Sequence, residues 1–116
     1  MTYAVEVVLR DRNYAVTEQF EHGVEPRVWG ERDVRIVLEQ ILRAIDRVKN
    51  PDNPAGHVAL RGFSWIVEPV EGGVVIAIEI PMGAGVAGPF AIEQDRLDSM
   101  VRRVIAAAAI PRTTVH

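Results

Sequence analysis

Apolar and polar side chains alternate along the first part of the chain. Residues Tyr3–Arg10 place an apolar row on one side and a mixed row on the other, and Tyr14–Phe20 repeat this pattern. Such alternation is typical of a half-buried β-strand. Asp11–Asn13, which lie between the two segments, readily adopt the dihedral angles of a tight turn. The first twenty residues therefore predict a β-hairpin.

The apolar period changes after residue 30. Over Glu31–Asn50, apolar residues recur every three or four positions, which predicts an amphipathic helix. Acidic residues begin this segment and basic residues end it, as the helix dipole favours, and Pro51 stops it. Ile92–Ala109 show the same period and predict a second helix.

The segment between the helices predicts two further strands. His57–Val70 and Val74–Ile80 carry the strand pattern, with a tight turn at Glu71–Gly73, and the glycine-rich residues Met82–Pro89 predict a loop. The predicted fold class is α+β, with two layers: a four-stranded antiparallel sheet and two helices on one face, in the order β-β-α-β-β-α. Residues 1–116 are expected to form a single domain with a frayed tail at 111–116.

Composition excludes several classes of function. The 13 basic and 16 acidic residues give a net charge of -3, without the basic stripe that nucleic-acid binding requires. The chain has no cysteine, which removes disulfides and thiolate metal sites. Its longest uncharged stretch, Ile80–Ile92, contains prolines and glycines, and its amino end lacks a signal-peptide pattern. We therefore expect a soluble, cytoplasmic protein with no nucleic-acid or membrane partner.

One glycine motif has the spacing of a dinucleotide-binding site. Residues 83–88 read Gly-Ala-Gly-Val-Ala-Gly, but such a site needs a parallel strand after the next helix, where only Pro111–His116 remain. We expect no nucleotide cofactor here, and a connecting loop is the favoured interpretation. The alternative is a small-ligand or anion site, catalytic or not, between the loop amides and the sheet face. Its candidate residues are Gly83, Gly85, Gly88, Glu79 and Arg61.

The remaining polar residues predict neither a catalytic centre nor a metal site. His22, His57 and His116 have no second ligand at helical spacing, whereas a metal site needs three or four converging ligands. Ser64 and Ser99 do not lie in the glycine-flanked turn of a nucleophilic serine. No catalytic residue, metal or cofactor is predicted, and a non-catalytic role is favoured.

The sheet face that the helices would leave open is the most informative predicted surface. It is rich in aliphatic and aromatic residues, with Glu6, Arg61 and Glu79 among them. An exposed apolar face usually marks an interaction site. We therefore predict a small interaction domain that forms a homodimer, or binds a partner protein, through this face. The predicted interface residues are Phe63, Trp65, Val67, Val8 and Val75.

The facing of the third strand is ambiguous, because both of its rows contain apolar residues. The row of Val58, Leu60, Ser64 and Ile66 competes with the row of Ala59, Phe63, Trp65 and Val67. One alternative is that the facing is reversed. If the second helix covers the opposite face, both rows are buried without a partner. The sequence leaves open whether Phe63 and Trp65 contact another chain, a ligand or a helix of their own chain.

Overall fold

A computed structural model of the chain describes residues 1–52 and 58–109. The strands and helices are β1 (Thr2–Leu9), β2 (Ala15–Glu21), a short 3-10 helix (Pro26–Val28), α1 (Glu31–Lys49), β3 (Ser64–Val70), β4 (Gly73–Ile80), β5 (Gly83–Phe90) and α2 (Gln94–Ala109). The strands form one antiparallel sheet in the spatial order β2-β1-β5-β4-β3. The α+β class is as predicted. The predicted number of strands is wrong, because the order is β-β-α-β-β-β-α with five strands.

The fifth strand replaces the predicted glycine loop and lies at the centre of the sheet. β5 pairs with β1 on one side and with β4 on the other, so its backbone amides serve the two strand ladders. β1 and β2 form no strand pairs with β3 and β4, so β5 makes the hydrogen-bonded link between the two hairpins. The segment predicted as a loop therefore joins the two halves of the sheet.

Packing and backbone geometry explain why this central strand contains glycine. A Cβ atom added to Gly85 would lie 3.0 Å from Ile41 Cγ2 and 3.1 Å from Ile45 Cδ1, so α1 packs directly on the strand backbone. Gly88 has a φ of 126°, beside the register shift between Val74 and Ile76 of β4. L-residues with a side chain rarely adopt such a φ. Gly85 is therefore needed for the close approach of α1, and Gly88 is needed for the positive φ at the irregular strand pairing.

Both helices pack on the same face of the sheet and enclose the core. The buried core residues come from every strand except β2, from both helices and from two connecting segments. They include Val5, Val7, Leu38, Ile41, Val67, Ile76, Ile78, Phe90, Leu97 and Val101. Tyr3 lies in this core as well, and desolvation by burial raises its pKa to about 12. No helix among residues 1–52 and 58–109 has the length and apolar character needed to cross a membrane.

Trp29 closes one end of the core from a segment that the sequence indicates only as a loop. The side chain is 1% exposed, and its ring meets the edge of Phe90 at a centroid distance of 4.9 Å. Its indole Nε1–H donates to Val24 O at 2.8 Å, so the burial leaves no donor unsatisfied. Arg96 of α2 donates to Trp29 O at 2.8 Å and also to Arg27 O. The segment before α1 is thereby fixed to α2.

The remaining boundaries differ from the predictions by a few residues. β3 begins at Ser64 rather than at His57, and α2 begins at Gln94 rather than at Ile92. The turn at Glu71–Gly73 is confirmed, because β3 ends at Val70 and β4 begins at Gly73. His57 and the tail 111–116, which was predicted to be frayed, lie outside the described residues.

Candidate protein-interaction face

The sheet face opposite the two helices is referred to below as the open face. Strand register and alternating burial assign its residues, since Val5 and Val7 are buried against the helices whereas Glu6 and Val8 point the other way. Residues paired across neighbouring strands share a face. One row of the open face runs Ala15, Val8, Ala84, Glu79 and Ser64, and the next runs Thr17, Glu6, Val86, Ala77 and Ile66.

An apolar band crosses the open face diagonally. The band consists of Val8, Ala84, Val86, Ala77, Ile66 and Val75. Val8 is 44% exposed and Ile66 is 53% exposed, and no helix of the described chain lies over them. Alanine occupies the middle of the band, so the surface there is shallow. A depression of about 240 Å³ lies over Ala77 and Ala84 and is bordered by Ile66, Ser64 and Glu79.

The carboxylates of the open face have no basic partner among residues 1–52 and 58–109. Glu6, Glu21, Glu68 and Glu79 all point to this side, and none of them forms an ion pair with another described residue. Arg10, which continues β1 on the same side, likewise forms none. Glu79 lies on one flank of the apolar band and Glu6 on the other, while Glu68 lies at its end.

Several acidic residues in and around the helix layer, unlike the carboxylates of the open face, form ion pairs with basic residues. The described pairs are Glu18–Arg47 at 2.7 Å, Glu31–Arg103 at 2.8 Å, Asp33–His22 at 2.8 Å, Glu39–Arg35 at 3.5 Å and Asp98–Arg102 at 2.8 Å. The two sides of the molecule therefore differ in coverage, and the ion pairs that several carboxylates of the helix layer form have no counterpart among the described carboxylates of the open face.

The prediction that Phe63, Trp65 and Val67 lie on the open face is wrong. All three side chains turn toward the helices: Val67 is 3% exposed, and Phe63 and Trp65 are partly buried against the core. The Arg102 guanidinium of α2 lies 5.5 Å from the centroid of the Trp65 ring. The alternative in which the chain's own helix covers these aromatic residues is the one observed. Val8 and Val75 are on the open face as predicted.

A break in the strand pattern at Gly62 explains the wrong facing. Gly62 has a φ of 79°, so the segment before it does not continue the strand. Leu60 is buried before this break and Val67 is buried after it. In one continuous strand these two positions, one even-numbered and one odd-numbered, would lie on opposite faces. A single alternating pattern over 57–70 therefore assigns the wrong row to the core, and Ile66 takes the place on the open face that was predicted for Trp65.

The residues of the predicted ligand site are not brought together. Gly85 faces α1 within the central strand, a side chain at Gly83 would meet Val8 and Leu9 of β1, and Gly88 lies at the irregular pairing with β4. Glu79 points to the open face. Arg61 borders a different depression, of about 300 Å³, together with Arg35, Glu39 and the last turns of α2. The backbone amides that were predicted to hold an anion are paired within the sheet.

The histidines form no metal centre in the described chain. His22 Nε2–H donates to Asp33 Oδ1 at 2.8 Å, while His57 and His116 lie outside the described residues. Among residues 1–52 and 58–109, no group of three or more histidines and carboxylates is placed to hold a metal ion. Glu6 and Glu79 are kept apart by β5, which lies between their strands.

Comparisons with protein-family models, with curated proteins and with solved structures find no match to this chain. The functional argument therefore rests on the open face. Sequence reasoning missed Ile66, Ala84 and Val86, which belong to its apolar band. The sequence does hold a signal for Ala84 and Val86. Residues 83–88 contain no polar side chain in either alternating row, which is the pattern of a central strand that is covered on both faces.

Proposed function

We propose that the chain is a non-catalytic interaction domain that buries its open face against the surface of another protein. The observation that carries this proposal is the exposure of the apolar band, in which Val8 and Ile66 are 44% and 53% exposed. The largest contiguous apolar patch on a monomer is often functional, and larger exposed patches commonly mark interaction sites.

The dimensions of the open face favour a protein over a small ligand. Five strands spaced by about 4.8 Å, with about seven residues each, make the face roughly 24 Å on a side. The resulting area, on the order of 600 Å², is near the roughly 800 Å² that each partner contributes to a standard interface. The depression over Ala77 and Ala84 is about 240 Å³. Pockets that enclose small molecules are usually larger, about 300–1,000 Å³. The depression beside Ser64 and Glu79 that reaches this range, at about 390 Å³, extends toward Arg10 and Pro81 and is not lined by the residues of the apolar band.

Site-specific photo-crosslinking in cells tests the proposal. The photoreactive residue p-benzoylphenylalanine replaces Ile66 on the open face and, in a matched control, the exposed Arg43 on the outer side of α1. We expect a discrete adduct from position 66 that position 43 does not give. No adduct from position 66, or the same adducts from both positions, would refute the proposal. The adduct mass identifies the partner, because a homodimer would give twice the 12.9 kDa of one chain.

A further inference from the structure

We infer that the partner covering the open face is a basic amphipathic helix rather than a second copy of this chain. This inference rests on the proposed function and specifies the chemistry of the partner. It follows from three properties of the open face: its carboxylates without an ion pair in the described chain, the shape of the apolar band, and the position of most of that band on strands that have two neighbours.

The distribution of charge disfavours a second copy. Each chain presents the carboxylates of Glu6, Glu21, Glu68 and Glu79 on this side, against the single guanidinium of Arg10. Two stacked open faces would therefore bring eight carboxylates together with two guanidiniums, and would remove many of these charges from water. Burial of unpaired or like charges is strongly unfavourable. A partner that carries lysine or arginine supplies the missing counter-charges, whereas an anionic membrane surface would be repelled.

The apolar band has the proportions of a helix contact. Between Val8 on β1 and Ile66 on β3 it spans three strand spacings, about 14 Å, which corresponds to roughly nine or ten residues of an α-helix. Glu79 and Glu6 lie on opposite flanks of the band. An amphipathic helix laid along it would bury its apolar stripe and place basic residues on both flanks beside these carboxylates.

The location of the band within the sheet also favours a helix. Five of its six residues lie on β1, β5 and β4, each of which already has two hydrogen-bonded neighbours, so an added β-strand cannot pair there. Ile66 alone lies on the edge strand β3. A partner must bring a backbone whose hydrogen bonds are already satisfied. The same sheet accepts a helix on its other face at a row of small residues, where α1 packs on Gly85. Ala77 and Ala84 provide a comparable shallow row on the open face.

Peptide binding tests the inference. The probe is an 18-residue peptide of leucine and lysine, patterned to give one apolar helix face, and the control peptide has glutamate at every lysine position. Binding to the full chain is measured by calorimetry, and the contact surface is mapped by NMR amide shifts. We expect the lysine peptide to bind and to shift the amides of Ala84 and Val86, and the glutamate peptide not to bind.

Matched charge variants separate specific binding from general attraction to an acidic protein. Glu6→Gln with Glu79→Gln removes two charges from the open face, and Glu71→Gln with Glu93→Gln removes two exposed charges elsewhere. We expect the first pair to raise the Kd for the lysine peptide tenfold or more, and the second pair to change it less than twofold. Equal weakening by both pairs, or shifts confined to another surface, would overturn the inference.

Light scattering on the free chain provides the remaining test. A wild-type dimer that is strengthened by Glu6→Gln with Glu79→Gln would identify a second copy as the occupant and would overturn the basic helix. If position 66 gives a specific adduct of another mass while the lysine peptide does not bind, the interaction function stands and the inferred partner chemistry is wrong. If both experiments fail, the proposed function fails as well.

Discussion

At the scale of single residues, Asp33 links the end of β2 to the start of α1. Its Oδ1 accepts a hydrogen bond from His22 Nε2 at 2.8 Å, and its Oδ2 accepts one from the Gly30 backbone N–H at 2.9 Å. Desolvation by partial burial works to raise the pKa of this carboxyl. The hydrogen bonds from Gly30 and His22 outweigh that effect, and the pKa of Asp33 is lowered.

This lowered pKa predicts a specific loss of stability in acid. Because the carboxyl binds a proton less readily in the folded chain than in the unfolded chain, its contribution is fully present above the unfolded pKa of about 3.8 and is lost as the pH falls through the lower folded value. We expect Asp33→Asn to reduce the free energy of unfolding by about 1 kcal/mol at pH 6. The difference from wild type should shrink as the pH falls below about 4.

Urea unfolding of both proteins between pH 6 and pH 2 measures this difference. Glu71→Gln, in the exposed turn between β3 and β4, controls for the removal of one negative charge. A difference between Asp33→Asn and wild type that stayed constant over this pH range would show that the charged form of Asp33 contributes nothing to stability.

At the scale of elements, β5 depends on glycine for its contact with α1. A side chain at position 85 would enter the space of Ile41 and Ile45, because their nearest atoms would lie only 3.0–3.1 Å from its Cβ. We expect Gly85→Val to reduce the free energy of unfolding by about 1–3 kcal/mol, the usual effect of overpacking. Ala84→Val, one residue away on the open face, should change it by no more than about 0.5 kcal/mol.

A double-mutant cycle assigns the effect to the helix contact. Ile45→Val removes the Cδ1 atom that approaches position 85, so in this background Gly85→Val should be less destabilising by at least about 0.5 kcal/mol. Denaturant unfolding of the four proteins provides the measurement. Strictly additive effects would mean that the Cδ1 atom of Ile45 does not take part in excluding the valine.

The same elements show which parts of the fold can be predicted from sequence. The helices and β1 have clear periods, because each has one face in the core and one in water, and the open-face residues Val8, Glu6 and Val75 follow from such alternation. β5 has no such signal. The side chains of β5 that face α1 must be small because this helix, which is distant in sequence, packs directly on the strand. The row on the other side of β5 carries no polar side chain. Local propensity therefore indicates a loop, and tertiary packing decides otherwise.

The facing of β3 could not be predicted for a different reason. Alternation identifies the buried row only while the strand is continuous, and Gly62 interrupts the strand with a positive φ. A one-residue change of parity moves every side chain to the other face. Compared with the prediction, Trp65 lies on the helix side and Ile66 lies on the open face. The candidate interaction surface is therefore aliphatic, whereas the predicted one was aromatic.

At the scale of the whole molecule, the sheet has two apolar faces and the described chain covers only one. The covered face carries the helices, and several acidic residues of that layer are paired. The open face carries aliphatic side chains among carboxylates without partners in the described chain. The side that no helix covers thus also carries carboxylates without an ion pair in the described chain, and a basic apolar partner would cover the aliphatic side chains and pair with the carboxylates.

Adjacent residues of β1 allow a direct test of this two-sided arrangement. Val7 is 1% exposed against the helices, and Val8 is 44% exposed on the open face. Threonine keeps the branched shape of valine and its strand preference, so the added hydroxyl is the main change at each position. Val7→Thr buries that hydroxyl and should reduce the free energy of unfolding by about 1–3 kcal/mol, whereas Val8→Thr should change it by no more than about 0.5 kcal/mol.

Equilibrium unfolding in urea measures both variants, and crosslinking from position 66 gives the second readout. Val8→Thr makes the apolar band more polar without weakening the core, so we expect it to reduce the yield of the adduct while stability is kept. Val7→Thr should have the reverse profile, with reduced stability and, under conditions where the chain is folded, an unchanged adduct. Equal destabilisation by the two variants would mean that both faces of β1 are covered in the isolated chain, and the open face would then not be available to a partner.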